Sequence, residues 1–292
     1  MQQAAIKIAG EQAPEERDTA ATAVPALQRA FGEARISFKK RGERSALGEL
    51  YQAGCCKVRL PRIGNAGPEA VLINTSGGLT DGDRYSVDAS WQTSSHATIT
   101  TQACERIYRA RQGNAEVVNT LRVADQAIAH WLPQETILFD GGRLTRQATV
   151  HLQGSARFLG LEAFILGRPA MGERVRSGRF SDSWRIERDG ELLFIDRISL
   201  CGDIEAKLDR PGCGNGARAF ATLLYAGPDS EAKCALLRDI HPGSSITFGC
   251  TDLDGVVLAR FLAPDGQSLR SALRPVLEKL RGGEGLPRVW MT

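Results

Sequence analysis

The chain has 292 residues, enough to bury a substantial core as one large domain or two small ones. Its formal charge of +3 rests on arginines scattered along the sequence rather than gathered in a stripe, which argues against nucleic-acid binding. No run reaches the ~18 consecutive apolar residues of a membrane helix, and MQQAAIKIAGEQAPEERD has no apolar segment of the signal-peptide kind. A cytoplasmic protein without membrane contact is therefore expected.

Residues 1–30 are rich in Ala, Gln and Glu and read as a mobile N-terminal arm, with a short helix near Pro25-Ala26-Leu27. Residues 31–292 show no composition break and read as a single domain. Alternating segments begin at Arg35-Ile36-Ser37-Phe38 and Lys57-Val58-Arg59-Leu60, and a Gly/Pro/Asn loop from Arg62 to Glu69 leads to the organising stretch. There Val71-Leu72-Ile73 enters a glycine turn that runs from Thr75 to Asp83. Tyr85, Val87, Ala89 and Trp91 then alternate with Ser86, Asp88 and Ser90, and Ala97, Ile99, Thr101 and Ala103 with Thr98, Thr100 and Gln102. Strict alternation predicts half-buried strands.

The pattern returns at Val117, Asn119, Leu121 and Val123, at Ile128 to Leu132, at Ile137-Leu138-Phe139, and at Ala148, Val150 and Leu152. Phe158 to Leu166 is a longer apolar segment holding one acid, Glu162. Arg188-Asp189-Gly190 predicts an Asp-Gly hairpin between Trp184-Arg185-Ile186 and Leu192-Leu193-Phe194-Ile195. Ala219 to Ala226, Ile246-Thr247-Phe248 and Val256 to Leu262 supply further strands. Helical signals come late. Asp229-Ser230-Glu231 caps AKCALLRDI, and Leu269, Leu273, Val276, Leu277 and Leu280 share one face, with Pro275 predicted to kink or divide it. The fold class is mainly β, with many short strands and about two C-terminal helices. A sandwich, a barrel and a β-helix-like stack all fit, and the lack of an exact repeat counts against a regular solenoid.

Few groups offer chemistry. The seven cysteines are odd in number and include no Cys-x-x-Cys, which predicts reduced, mostly buried thiols. The glycine turn matches no nucleotide-binding motif, and the four histidines include no pair at helical spacing. His130 and His151 read as structural strand histidines, and Cys104-Glu105-Arg106 as packing. Glu162, set among apolar residues, must be paired, protonated or facing a hydrated cavity, because an isolated buried charge is very costly. Asp196 raises the same question, with Arg197 its nearest partner in sequence.

Four phrases go beyond a generic β protein: Asn74-Thr75-Ser76-Gly77-Gly78-Leu79-Thr80-Asp81-Gly82-Asp83, Thr100-Thr101-Gln102-Ala103-Cys104-Glu105-Arg106-Ile107-Tyr108-Arg109, Trp131-Leu132-Pro133-Gln134-Glu135-Thr136-Ile137-Leu138-Phe139 and Leu166-Gly167-Arg168-Pro169-Ala170-Met171-Gly172-Glu173. In this order the chain resembles the urease accessory protein D family, well from Phe38 to Leu200 and loosely beyond. Asp81 departs from the family's usual second glycine, and Ile73-Asn74-Thr75 replaces a His-Pro-Pro-type approach, so a ligand supplied there is absent.

The resemblance implies a β-helix-like stack of strands with two helices and a maturation factor rather than an enzyme. Its implied partners are accessory protein F, the GTPase accessory protein G through F, and apo-urease, into which nickel is placed. It implies no tightly bound cofactor and a transient nickel(II) ion. Nickel lies high in the Irving–Williams order, so a Cys- or His-rich cluster would hold it too firmly to release, and loosely coordinating oxygens suit a conduit better. Asp83 matches the family's Gly-Gly-Asp aspartate, Thr101 its Thr-Thr strand, and Glu162 its acid before Leu-Gly-Arg; Asp196 is a looser match. These four are the residues expected to line a nickel path. The alternatives are a β-helical carbohydrate-active enzyme using paired carboxylates and a passive scaffold without metal contact.

Overall fold

The computed structural model describes residues 28–62, 67–168 and 171–291, so the expected helix near Pro25 and most of the expected arm lie outside the described residues. Strands β1 (Phe31–Arg41) and β2 (Arg44–Gly54) form an antiparallel hairpin, and β3 (Cys56–Arg59) pairs antiparallel with β4 (Glu69–Asn74). From there the chain coils. One turn takes β5 (Arg84–Trp91), β6 (His96–Thr101) and β7 (Glu105–Ile107), and the next takes β8 (Ala115–Val123), β9 (Ile128–Leu132) and β10 (Thr136–Leu138). β11 (Arg143–Leu152), β12 (Arg157–Leu166) and β13 (Arg179–Arg188) continue it, and β14 (Glu191–Cys201) folds back on β13. The remainder is α1 (Ile204–Leu208), β15 (Ala219–Ala226), α2 (Ser230–Arg238), β16 (Thr247–Asp252), β17 (Val256–Ala263) and α3 (Gly266–Leu280).

Successive turns stack with parallel strands in register. β5, β8, β11 and β13 form the centre of a first sheet of order β14-β13-β11-β8-β5-β1-β2. β4, β6, β9 and β12 form the parallel part of a second sheet, which β15, β17 and β16 extend antiparallel. The short β7 and β10 pair with each other on a third side. The stack is thus solenoid-like despite the absence of a sequence repeat. Each turn needs only the same in-and-out pattern and a compatible corner, not the same residue types.

Alternation sets the interior. Tyr85, Val87, Ala89 and Trp91 of β5 all point into a core between the two sheets, as their spacing predicts. The second sheet is different, because α2 and α3 cover its outer face and create a second apolar layer there. Thr98 and Thr100 of β6 are therefore buried as well, where simple alternation predicts exposure. β15 is buried at all eight positions for the same reason.

The turns follow local chemistry. Asp189 and Gly190 both have positive φ, at 52° and 89°, as an Asp-Gly hairpin of the primed type requires. Gly77, Gly78 and Gly82 have φ of 80°, 148° and 81°, which gives the expected glycine corner. The two expected C-terminal helices are α2 and α3; the additional, five-residue α1 is capped by Asp203, whose side chain accepts from the Ala206 amide. Pro275 does not divide α3, which runs unbroken because that residue sits on the exposed face, where the Ser271 carbonyl it leaves unpaired meets water. Asp229 stands at the N-cap of α2 but makes no capping bond; its carboxylate accepts instead from Tyr225 and Arg157. All seven cysteines are free, yet only Cys56 and Cys234 are buried, and Cys201 and Cys213 are exposed. Among the described residues no helix is long and apolar enough to cross a membrane.

Candidate functional site

On β12, even-numbered residues face the space between the sheets and odd-numbered ones face the helices. Glu162 therefore enters the interior beside Phe164. From the opposite sheet, the same parity brings Arg146 of β11, on the face of Leu144 and Ala148, and Asp182 of β13, between Phe180 and Trp184. Arg146 Nη1 lies 2.5 Å from Glu162 Oε2, and its Nε donates to Asp182 Oδ1 at 2.7 Å. Two carboxylates thus share one guanidinium. The Arg146 side chain, Glu162 and Asp182 are 6%, 1% and 2% exposed, so each carboxylate depends on that cation rather than on water. Burial pushes the Glu162 carboxyl up to about 7; Asp182 adds to the rise, while Arg146 and the Trp131 indole oppose it.

The side-chain polar atoms of Trp131-Leu132-Pro133-Gln134-Glu135-Thr136 all serve this interior or its wall. Trp131 Nε1 donates to Glu162 Oε1 at 3.1 Å, and Thr136 Oγ1 accepts from Arg146 at 3.3 Å. The Gln134 amide donates to Thr101 Oγ1 at 2.9 Å, and its side-chain Nε2 donates to the Thr101 carbonyl at 3.1 Å. Glu135 pairs with Arg270 of α3 at 2.5 Å, which locks the helix onto this edge.

Several of these groups line a cavity of about 60 Å³ between the two sheets. At roughly 30 Å³ per water it has room for about two. Thr101, Glu105, Asn119, Thr136, Arg146 and Glu162 supply its polar lining, and Arg146 Nη2 makes no hydrogen bond among the described residues. A second hollow of about 280 Å³ adjoins it, lined by Asn74, Gln102, Cys104, Glu105 and Arg106. Leu72, Tyr85, Thr101 and Glu105 line both spaces. Glu105 stands at the join. Its Oε2 accepts from Asn74 Nδ2 at 3.0 Å, and burial raises its carboxyl above the usual range, with Asn74 acting against the rise. Burial, reinforced by Glu135, pushes the neighbouring Cys104 thiol up to about 12, which leaves it protonated and a poor ligand.

Of the four residues expected to act together, Thr101 and Glu162 meet at the inner cavity. Asp83 is buried in the glycine corner, its two oxygens accepting from the Ala30 and Thr80 amides at 2.7 and 2.8 Å. Asp196 faces inward on β14, and both of its carboxylate oxygens accept from the single Nη2 of Arg260 at 2.7 Å. Arg197, its sequence neighbour, cannot reach it because adjacent strand residues point to opposite faces. Glu105, Arg146 and Asp182 escape a reading of single segments. Parity could have found two of them, since Arg146 stands two places before Ala148 on an apolar face, and Asp182 between Phe180 and Trp184.

Two carboxylates, two threonine hydroxyls and one guanidinium line this small, oxygen-rich space. The profile of the family described as UreD urease accessory protein matches residues 30–291. A protein named urease accessory protein UreD from Sinorhizobium medicae is 45% identical over 273 residues, covering 92% of this chain and 99% of that protein. Its namesake from Rhizobium leguminosarum bv. viciae is 47% identical over 265 residues, covering 90% and 96%. One from Chelativorans is 46% identical over 266 residues, covering 90% and 95%. With a match over nearly its whole length, this chain belongs to the UreD urease accessory protein family.

Proposed function

We propose that the chain is a non-catalytic urease maturation factor that binds apo-urease together with accessory proteins F and G, the latter through F, and passes nickel(II) along its own axis. The ion enters by the outer hollow, is met by Glu105 and Thr101, and reaches Glu162 before leaving for urease. One observation carries this reading: Thr101 and Glu105 line both the outer hollow and the inner cavity that ends on Glu162. Oxygen donors of this kind hold a borderline ion loosely, as a conduit requires. Arg146 sets the resting state by neutralising Glu162, and an arriving cation competes with its guanidinium for the same carboxylate. Asp83 serves the corner and Asp196 the Arg260 pair, so the proposal places Thr101, Glu105 and Glu162 on the path.

The Arg146–Glu162 contact also favours a second reading, a scaffold whose acids are satisfied internally and never meet metal. A carbohydrate-active enzyme is disfavoured, because Glu162 and Asp182 share one arginine beside a cavity that admits about two waters and no sugar ring. The test is co-expression of urease and its accessory proteins with Glu162→Gln or Glu105→Gln in this chain. The conduit predicts an assembled complex and urease with several-fold less nickel. Full nickel content in both variants would leave the scaffold.

A further inference from the structure

On the helix side of the second sheet, away from the cavity, His96 and His130 come together. We propose that His96, His130 and Glu284 form a separate site for one divalent transition ion of the nickel–zinc class. His96 opens β6, His130 lies one turn of the coil further on in β9, and Glu284 follows the end of α3. One donor atom from each lies within 4.8 Å of the other two, and His96 Nε2 is 3.5 Å from Glu284 Oε2. Ligand atoms on a tetrahedral ion with bonds of about 2.1 Å are about 3.4 Å apart. The set is therefore open by up to about 1.4 Å, which the half-exposed Glu284 in its post-helical loop can close. Two imidazoles bound to one such ion place their ring centres about 5 Å apart. These two are 5.0 Å apart and nearly perpendicular.

A cation already sits among these donors. Arg281 Nη1 donates to His130 Nδ1 at 2.8 Å and to Thr98 Oγ1 at 2.9 Å, and its Nη2 lies 3.4 Å from Glu284 Oε2. A guanidinium has no acceptor, so Nδ1 of His130 presents a lone pair, the form a metal needs. Buried Glu69 lines the same pocket beside His96, Thr98, Arg281 and Glu284. The arrangement is two neutral imidazoles and two carboxyls around one positive charge. A metal ion taking the His130 lone pair moves Arg281 toward the Gly285 carbonyl, which its Nη2 already touches at 3.1 Å. An adjoining hollow of about 230 Å³, lined by His96, His130, Lys233 and Arg281, leaves space for that movement. The competing arginine and nearby Lys233 keep affinity modest. An imidazole pair nevertheless retains an ion that the oxygen-lined cavity would release. Binding there ties the segment after α3 to the start of β6.

The test is titration of the full chain with nickel(II) and zinc(II), read by calorimetry, and with cobalt(II), read by its visible absorption. Wild type should bind one ion with nitrogen ligation. His96→Ala and Glu284→Gln, both at partly exposed positions, should lower that affinity at least tenfold while unfolding as wild type does. Arg281→Gln should raise it, and Glu162→Gln should leave it unchanged, so the outcome is independent of the proposed conduit. Equal stoichiometry and affinity in wild type, His96→Ala and Glu284→Gln would overturn the assignment. So would an absence of nitrogen ligation in the cobalt spectrum.

Discussion

Replacing Arg146 with Met tests the interior most directly. The side chain is 6% exposed and is the shared counter-ion of Glu162 at 2.5 Å and Asp182 at 2.7 Å, both of which are almost fully buried. Methionine fills much of the same volume, so the loss is chiefly electrostatic. Removing one partner of a buried ion pair costs about 3–5 kcal/mol, and here two carboxylates are left facing each other. At roughly 2–4 °C per kcal/mol for a chain of this size, the midpoint of thermal unfolding should fall by about 8–15 °C at pH 8. The pH dependence has a definite sign. In the folded wild type, burial raises Glu162 from 4.5 to about 7, so folding strengthens proton binding there. That contribution is fully present below the unfolded value and is lost as pH rises through about 7. Without the guanidinium the carboxyl rises further, so Arg146→Met should be least harmful at pH 5 and most harmful at pH 8. Adding Glu162→Gln and Asp182→Asn should recover most of the loss. Urea unfolding at pH 5, 6, 7 and 8 reads all three expectations. An Arg146→Met variant within 1 kcal/mol of wild type at pH 8, or a triple variant no better than the single one, would refute the shared-cation account.

Asp83→Ala removes two charge-assisted bonds to backbone amides and should cost about 2–4 kcal/mol in urea unfolding, so any fall in urease nickel would accompany lost stability. Gly78→Ala places a Cβ 2.4 Å from the Tyr108 ring and 2.7 Å from the Arg106 carbonyl, at a φ of 148° that L-residues avoid; a loss of about 2 kcal/mol or more in thermal unfolding is expected. Pro275→Ala, on the exposed face of α3, restores a helical amide and should stabilise the protein by about 1 kcal/mol or more in the same assay.

The strands of the first sheet were plain in the sequence because one face meets the core and the other meets water, which leaves a period of two in β5 and β8. The second sheet was harder to read, since α2 and α3 bury its outer face and erase that contrast in β6 and β15. The coil itself left no trace as a repeat. Its partners are 31 positions apart but chemically unlike, such as Asn74 with Glu105 and Trp131 with Glu162. Glu162 announced itself as an acid in an apolar run. Arg146 did not, because Thr145-Arg146-Gln147 reads as an ordinary polar edge until its face is known. The histidine pair was hidden for another reason: His96 and His130 meet only when two turns of the coil are laid in register.

The first sheet ends in a hairpin on each side, β1 against β2 and β13 against β14, so the parallel stack stops there. The number of coils is therefore set, and with it the reach of the hollow they enclose. Adjacent rungs lie about 4.8 Å apart. The molecule is in effect a ruler graduated in rungs: inserting one whole coil would lengthen the hollow by about one graduation, whereas adding a single residue inside a strand would turn its lining outward.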